Sequence, residues 1–227
     1  MRYPDDKYQA FFWDASDLKP EDKRMIALAL DPSIDDDILV VPGDIADRKT
    51  AARSISEGVA RFGRIDTLVN NAGIFIAKPF TEYTEADYAA ILGVNIAGFF
   101  HITQLAIAEM EKRGSGHVVQ ITTSLVDNAD ARIPSVLASL TKGSLNGATK
   151  SLAIEYAKRG IRVNAVAPGT IKSPMHPVET HAQLDALHPV GHMGEISDIV
   201  DAILYLESAS FVTGEILHVD GGQSAGH

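Results

Sequence analysis

The sequence contains no cysteine among its 227 residues. Disulfide bonds, thiolate metal sites and a cysteine nucleophile are therefore excluded. Positive charge is also scarce, because 20 Lys and Arg stand against 30 Asp and Glu, which gives a formal net charge of −10. With no Lys/Arg cluster, this balance argues against nucleic acid or an anionic membrane surface as a partner.

Glycine is missing from the front of the chain, although the sequence has 18 glycines in total. The first is Gly43, so residues 1–42 lack the glycine-rich loop that holds a dinucleotide pyrophosphate. The acidic opening does not resemble a signal peptide, and no apolar run reaches the ~18 residues that suggest a membrane span. With 45% hydrophobic residues for one core, we predict a cytoplasmic protein with a single domain over residues 1–227.

Short apolar runs alternate with longer segments of helical period, a pattern typical of a doubly wound α/β sheet. The run at 117–121 is mostly apolar rather than alternating, as expected for a parallel strand that is covered on both faces. The predicted strands are 10–13, 38–41, 67–70, 117–122, 162–167 and 215–219. The predicted helices are 20–30, 50–62, 84–113, 138–158 and 197–208, with Ser197 as an N-cap and with Gly114 and Gly160 at helix exits.

The most informative motif is Asn70-Asn71-Ala72-Gly73, directly behind the mostly apolar run at 65–69. Other landmarks stand at regular places around it: Asp44-Ile45 after a strand, Asn95 in a long helix, Lys142, the run at 162–169, Val212-Thr213-Gly214-Glu215, and Val219-Asp220-Gly221-Gly222. In this order and spacing, over roughly the last four fifths of the chain, they resemble the short-chain dehydrogenase/reductase family. The resemblance implies a Rossmann-like doubly wound parallel sheet and a nicotinamide-dependent oxidoreductase.

Two departures from the family pattern fall on its chemistry. The family's general acid/base tyrosine would stand four residues before Lys142, where this sequence has Ala138. If the strand at 10–13 is the family's second, the first strand and most of the first helix are absent together with the phosphate loop. The chain could then be a natural short form, a truncated product, or a gene read from an internal start.

The resemblance implies a set of cofactor contacts. Asp14 would accept hydrogen bonds from the adenosine ribose, which favours NAD over NADP, and Asp44 with Ile45 would lie against the adenine. Both aspartates have the alternative of being simple turn residues. The remaining implied contacts are Asn71, Ala72 and Gly73 at the sheet edge, Lys142 on the nicotinamide ribose, Pro168, Gly169 and Ile171 by the nicotinamide, and Ser173 facing its carboxamide.

The implied catalytic residues are Asn95, Ser124 and Lys142. Asn95 would kink its helix and hold a water, or it would have a structural role in the kink alone. Ser124 would bind the substrate oxygen, with Thr123 as the second choice. Because Ala138 cannot move a proton, we expect a water or another group to replace the tyrosine. The candidates are four histidines after Gly169, which could equally be solvent-facing, and which form no familiar metal-ligand pattern: His176, His181, His188 and His192.

Three hypotheses about function follow. We favour an NAD(P)-dependent oxidoreductase that acts on a small alcohol or carbonyl, with an atypical active site and no metal. The second is a catalytically silent member with a binding or assembly role, and the third is a truncated form of an intact enzyme. The resemblance further implies a homodimer or homotetramer built on the helices that carry Asn95 and Lys142, where Gly143, Gly147 and Ala148 permit close contact. Residues 173–193 would form the substrate loop, and they carry no readable code for the substrate.

Overall fold

The computed structural model describes residues 9–10, 39–173 and 175–226. In chain order its strands are β1 (Gln9–Ala10), β2 (Val41–Pro42), β3 (Thr67–Asn70), β4 (Gly116–Ile121), β5 (Ile161–Pro168) and β6 (Ile216–Val219). Its α-helices are α1 (Arg48–Phe62), α2 (Glu85–Leu92), α3 (Phe99–Glu111), α4 (Val136–Tyr156), α5 (His181–Asp185) and α6 (Ile196–Ser208).

The centre of the described fold is a four-stranded parallel sheet in the order β3-β4-β5-β6. Consecutive parallel strands need a crossover, and helices supply each one: α2 and α3, then α4, then α5 and α6. This arrangement confirms the predicted Rossmann-like α/β fold.

Helices cover the sheet on both faces. Val118 of β4 belongs to a core cluster with α1, α3 and Ala153 of α4, whereas its neighbour Val119 belongs to a cluster with Ala202, Ile203 and Leu206 of α6. Successive strand residues point to opposite faces, so a strand covered on both sides needs apolar residues at consecutive positions. The apolar run in β4 has this physical cause.

The front of the chain differs from the prediction. The predicted strand at 38–41 is observed only as β2, which pairs antiparallel with β1 in a two-stranded unit apart from the parallel sheet. Pro42 has no N–H to continue a ladder, and a turn over residues 43–47 leads into α1. A side chain at Gly43 would collide with Thr50, so this turn lies close against that helix. The predicted helix at 20–30, most of the strand at 10–13, and Asp14 lie outside the described residues.

The helix predicted at 84–113 is interrupted. Thr84 and Asp87 form a capping box that starts α2, but Gly93–Gly98 widens into a π-helical segment before α3 begins. The α6 boundary is also corrected, because Glu195 rather than Ser197 is the N-cap and bonds reciprocally with Asp198. Glu195 provides the cap two residues earlier than the serine would.

Two of the predicted helix exits meet in space. Gly114 follows α3 with φ of 65°, and Gly160 follows α4 with φ of 76°, a left-handed conformation that favours glycine. The amide of Gly116 donates to the carbonyl of Gly160 at 3.3 Å. A side chain on Gly160 would overlap the carbonyl oxygen of Gly114. The turns that lead into β4 and β5 are therefore in direct backbone contact with each other.

One described helical stretch, residues 85–111, is long and apolar enough to span a membrane by length and composition alone, a criterion that buried core helices also meet. The apolar side chains have partners within the protein, since Ile102, Ala106 and Met110 of α3 are buried in the core that faces β3 and β4.

Candidate active site

A cavity of about 540 Å³ opens at the carboxyl ends of β3, β4 and β5. In an open parallel α/β sheet, this edge is where ligands bind. Nine of the residues predicted from the sequence line it: Asn71, Gly73, Ser124, Lys142, Pro168, Gly169, Ile171, Ser173 and the second-choice Thr123. Residues from separate parts of the chain are thus brought to one place, as the motif order predicts.

Lys142 lies in the second turn of α4 and lines the cavity. Its Nζ donates to the carbonyl of Ile121 at the end of β4 over 2.6 Å, and burial lowers its pKa to about 8. At neutral pH the ammonium is still mostly protonated. A side chain at Gly73 would come within 2.9 Å of Nζ, so glycine there leaves room for the cation.

Asn95 is buried in the π-helical segment and connects three parts of the site. Its Oδ1 accepts from the amide of Ile74 at 2.9 Å, and its Nδ2 donates to the carbonyl of Ile74 and to Oγ1 of Thr141, both at 3.1 Å. Both amide hydrogens are used, so one lone pair of Oδ1 remains for a water. Asn95 therefore fixes the loop after β3 against α4, next to Lys142.

Ser124 and Thr123 follow β4, and their hydroxyls have different partners. The Thr123 hydroxyl accepts from the amide of Leu125 and caps the short 3₁₀ turn Ser124–Val126. Ser124 is 2% exposed and donates from Oγ to Oε1 of Gln223 at 3.0 Å. The hydroxyl of Thr123 is therefore bonded to the backbone, whereas the described partner of the Ser124 hydroxyl is a side chain.

Gln223 and Thr141 are site residues that sequence reasoning missed. Gln223 reaches the cavity from the C-terminal turn, which Asp220 holds by accepting from the amides of Gly222 and Ser224 at 2.9 and 2.8 Å. Burial alone would raise the pKa of Asp220, but these hydrogen bonds hold it below its usual value. Thr141 directly precedes Lys142, and that adjacency is the only sequence signal for it.

Ala138 is 2% exposed and also lines the cavity. It packs with Ile91 and Leu137 in a small apolar cluster between α2 and α4. Its methyl group supplies no oxygen at this point of the wall. Among the described residues of the lining, the ionisable side chains are Lys142 and His176.

The four predicted histidines occupy different environments. His188 is buried, and both ring nitrogens are used: Nδ1 bonds to the carbonyl of Leu184 at 3.0 Å, and Nε2 accepts from the amide of Thr170 at 2.9 Å. His181 and His192 bond to backbone carbonyls and do not line the cavity. His176 is the histidine of the four that lines it. The described residues include no group of three or more His, Asp or Glu side chains that could hold a metal ion.

Three predicted cofactor residues lie elsewhere. Oδ1 of Asp44 accepts from the amide of Ala46 at 2.9 Å in the turn before α1. Ile45 is buried against Gly98, and Ala72 packs on the same core. None of these three lines the cavity. Asp44 and Ile45 lie in the turn after β2, which faces α1 and α3, and Ala72 follows β3 with its side chain on the core. The hydrogen bond of Asp44 fits the turn role that the sequence left as an alternative, and its contact with the adenine stays a prediction.

Comparisons with known proteins agree with this fold. A model of the family described as enoyl-(acyl carrier protein) reductase matches residues 14–224. The chain is 34% identical over 217 residues to an uncharacterized oxidoreductase of Thermotoga maritima, across 90% of this chain and 84% of that protein. It is 36% identical over 184 residues to a 3-oxoacyl-[acyl-carrier-protein] reductase of the same organism, across 79% and 74%. A solved structure of ElxO with NADP bound has a TM-score of 0.76 at 32% identity, over 81% of this chain and 77% of that one.

The fold and the position of the cavity define a class, the Rossmann-type proteins that bind ligands at the carboxyl edge of a parallel sheet. Within that class, the family match and the relatives are specific. The chain belongs to the short-chain dehydrogenase/reductase family. Members of this family are NAD(P)-dependent oxidoreductases that act on small molecules.

Proposed function

We propose that this chain is an NAD(P)-dependent oxidoreductase that transfers a hydride between nicotinamide and a small alcohol or carbonyl substrate, with Ala138 in place of the family's tyrosine. The observation that carries the proposal is Lys142, an ammonium buried in a cavity at the carboxyl edge of the sheet. A cation in that place costs free energy unless it binds something.

The residues present fit the nicotinamide-ribose half of the cofactor. Gly73 lets the backbone approach Lys142. A side chain on Gly169 would come within 2.8 Å of both Gln223 and His188, so glycine at both positions keeps the cavity wall free of a side chain. The cofactor, when bound, supplies or accepts the hydride. Its adenosine would depend on Asp14, outside the described residues, and on Asp44. We propose NAD as the preferred form, while the ElxO structure carries NADP.

The chain's own residues would bind and orient the reactants. Lys142 would donate to the ribose hydroxyls and place a positive charge near the reacting oxygen. Ser124 would exchange its bond to Gln223 for one to the substrate oxygen. Asn95 would keep the loop after β3 and helix α4 in register through Ile74 and Thr141. Thus the geometry supplies orientation and charge, and the proton must come from another group.

The further features of the proposal come from the sequence. We propose one domain over residues 1–227, a cytoplasmic location, a homodimer or homotetramer, and a substrate loop at 173–193. Several described residues of that loop line the cavity, among them Ser173, Met175, His176 and Leu184, which supports a role in choosing the substrate.

A fluorescence titration of the purified chain with NADH and with NADPH tests the proposal. We expect saturable binding by the unchanged chain and a loss of roughly 10- to 100-fold in affinity for Lys142→Ala, the cost of a hydrogen bond to a charged group. Lys150→Ala is the matched control, because Lys150 is an exposed lysine of the same helix. A folded chain that binds neither nucleotide would overturn the proposal.

The second candidate is a catalytically silent family member, which Ala138 favours because it removes the general acid/base. A reduction assay separates the two, with NADPH or NADH and a panel of small ketones and a 3-oxoacyl thioester. Cofactor oxidation that depends on both the carbonyl and Lys142 supports the enzyme. Tight cofactor binding without oxidation by any carbonyl of the panel supports the silent member.

A further inference from the structure

His176 is the feature that extends the proposed function, on which this inference rests. Proton transfer to or from the substrate oxygen needs a positioned donor, and Ala138 has none to offer. Two described ionisable groups line the cavity. One is Lys142, which donates to the carbonyl of Ile121 and which the proposed function assigns to the ribose hydroxyls. His176 is the group whose role is not yet assigned.

The His176 ring is held in a defined tautomer. Its Nδ1 lies 2.8 Å from the carbonyl oxygen of Ile171, and a carbonyl only accepts, so Nδ1 carries a hydrogen. Nε2 is then the nitrogen that gains or loses a proton, and it makes no hydrogen bond among the described residues. His188 differs in this respect, because its Nε2 already accepts from Thr170. A histidine with one nitrogen fixed and the other available has the arrangement of a general acid/base.

The support of His176 is well anchored. Ile171 pairs with Gly194 in a β-bridge, and the amides of Lys172 and Gly194 bond to carbonyls across it at 2.9 and 3.0 Å. On its other side, the carbonyl of His176 accepts from Nε2 of His181 at 3.0 Å. The ring therefore extends from a braced segment, which a proton-transfer group requires for orientation.

We propose that His176 is a catalytic residue that exchanges a proton with the substrate oxygen through Nε2, in the role that the family gives to its tyrosine. In reduction, a bound cofactor would supply the hydride to the carbonyl carbon, and the electron pair of the C=O π bond would move to the oxygen. The oxygen then takes the proton from Nε2, which leaves a neutral imidazole that regains a proton from solvent. Oxidation of an alcohol follows the same steps in reverse.

The test compares His176→Gln with His192→Gln, a histidine of the same region outside the cavity. After turnover by the unchanged chain has been established, we expect kcat of His176→Gln to fall by roughly 10²- to 10⁴-fold, with the Kd for NADPH or NADH unchanged. His192→Gln should retain the original kcat. Added imidazole should restore part of the kcat lost in His176→Ala, which a merely structural histidine would not allow.

The effect of His176→Gln in a second variant background distinguishes a role of His176 in proton transfer from a role in supporting its loop. Ala138→Tyr returns a phenol to the cavity wall, so the further change His176→Gln should cost much less there than in the parent chain. An unchanged kcat in His176→Gln, or an equal loss in both backgrounds with no rescue by imidazole, overturns the inference and leaves the proposed function intact. Absence of turnover in the unchanged chain refutes the proposed function itself, and this inference with it.

Discussion

Gly73 shows how one missing side chain shapes the site. It directly follows Asn71 and Ala72, and its Cα faces the Lys142 ammonium and the Asn95 amide from the loop after β3. The family motif therefore has a physical basis in this chain, because any larger residue would move the cation that the site is built around.

Gly73→Ala tests this point. The added methyl group would lie 2.9 Å from Nζ of Lys142 and 3.4 Å from Oδ1 of Asn95, and the flexible lysine is the partner that gives way. We expect the ammonium to lose its bond to Ile121, and cofactor affinity to fall by roughly 10-fold or more. A titration with NADPH measures it, with Gly147→Ala on α4 as control, since nothing lies within 4 Å of that added methyl group. Equal affinities in the two variants would contradict the expectation.

Some site residues were accessible from the sequence, and others were not. Lys142, Ser124 and Gly169 could be predicted because each has a fixed offset from a strand or a motif. Gln223 could not, since it reaches Ser124 across 99 positions of chain through a turn that no spacing rule describes. The side chain of Ile45 packs against Gly98 in the core, and the contact with the adenine that the resemblance implies stays a prediction.

At the scale of elements, a buried polar network joins β4, β5 and α6 at the edge of the sheet opposite the cavity. Nδ1 of His117 lies 2.6 Å from Oε2 of Glu207, and its Nε2 accepts from Nδ2 of Asn164 at 3.0 Å. Arg162 donates from the same strand to the carbonyls of Leu206 and Glu207 at the end of α6. The network attaches the last helix to the sheet.

We expect this network to make the fold sensitive to acid. Burial lowers the pKa of His117 below its ordinary value of 6.5, although the hydrogen bond to Glu207 opposes that shift. Below pH 6.5 the unfolded chain takes up a proton that the folded chain does not, so the free energy of unfolding should fall as pH decreases toward the folded pKa. The slope from this group reaches at most about 1.4 kcal/mol per pH unit.

Urea unfolding at pH 7.5, 6.5 and 5.5 measures the effect, with His117→Gln as the comparison. The variant should be less stable at pH 7.5 by about 1 to 3 kcal/mol, because the buried partners of His117 lose its hydrogen bonds. Because glutamine does not titrate, the stability of the variant should fall less on acidification. His192→Gln should retain the slope of the unchanged chain. If His117→Gln retains it as well, the acid sensitivity arises elsewhere.

Element prediction succeeded where burial sets the pattern. The strand at 67–70 was predicted at its observed bounds, and the strands at 117–122, 162–167 and 215–219 lie within one residue of the observed ones, because buried parallel strands require continuous apolar runs. The sequence predicted a kink at Asn95, but not that it takes the form of the π-helical segment Gly93–Gly98. Within that segment Asn95 contacts Ile74 and Thr141, which are distant in sequence.

At the scale of the whole molecule, large apolar side chains are exposed at many places in the described residues, and two of these surfaces bear on assembly. The first is on α3 and α4, with Phe100, Leu140 and Ile154, and the second is at the end of α6, with Tyr205 and Phe211. Ile154, in the last turn of α4, is 81% exposed, which is unusual for an isoleucine in a regular helix. The first surface is on the helices that the sequence predicts as the subunit contact.

Ile154→Glu tests whether a second copy of the chain covers α4. If it does, a charge at the contact should shift the chain toward the monomer, and light scattering after size-exclusion chromatography would show the lower mass. Phe211→Glu is the matched change on the second surface and should leave the mass unchanged. A dimer or tetramer that persists in Ile154→Glu would contradict this assignment.

The contact between Gly114 and Gly160 has a practical consequence for protein engineering. Both glycines are in surface turns, where affinity tags, circular permutation and inserted reporter loops are commonly tolerated. Here, however, the backbones of the two turns touch, and the amide of Gly116 bonds to the carbonyl of Gly160. An insertion in either turn would displace the other and separate the starts of β4 and β5, the two central strands. Labels for imaging or immobilisation therefore belong away from both turns.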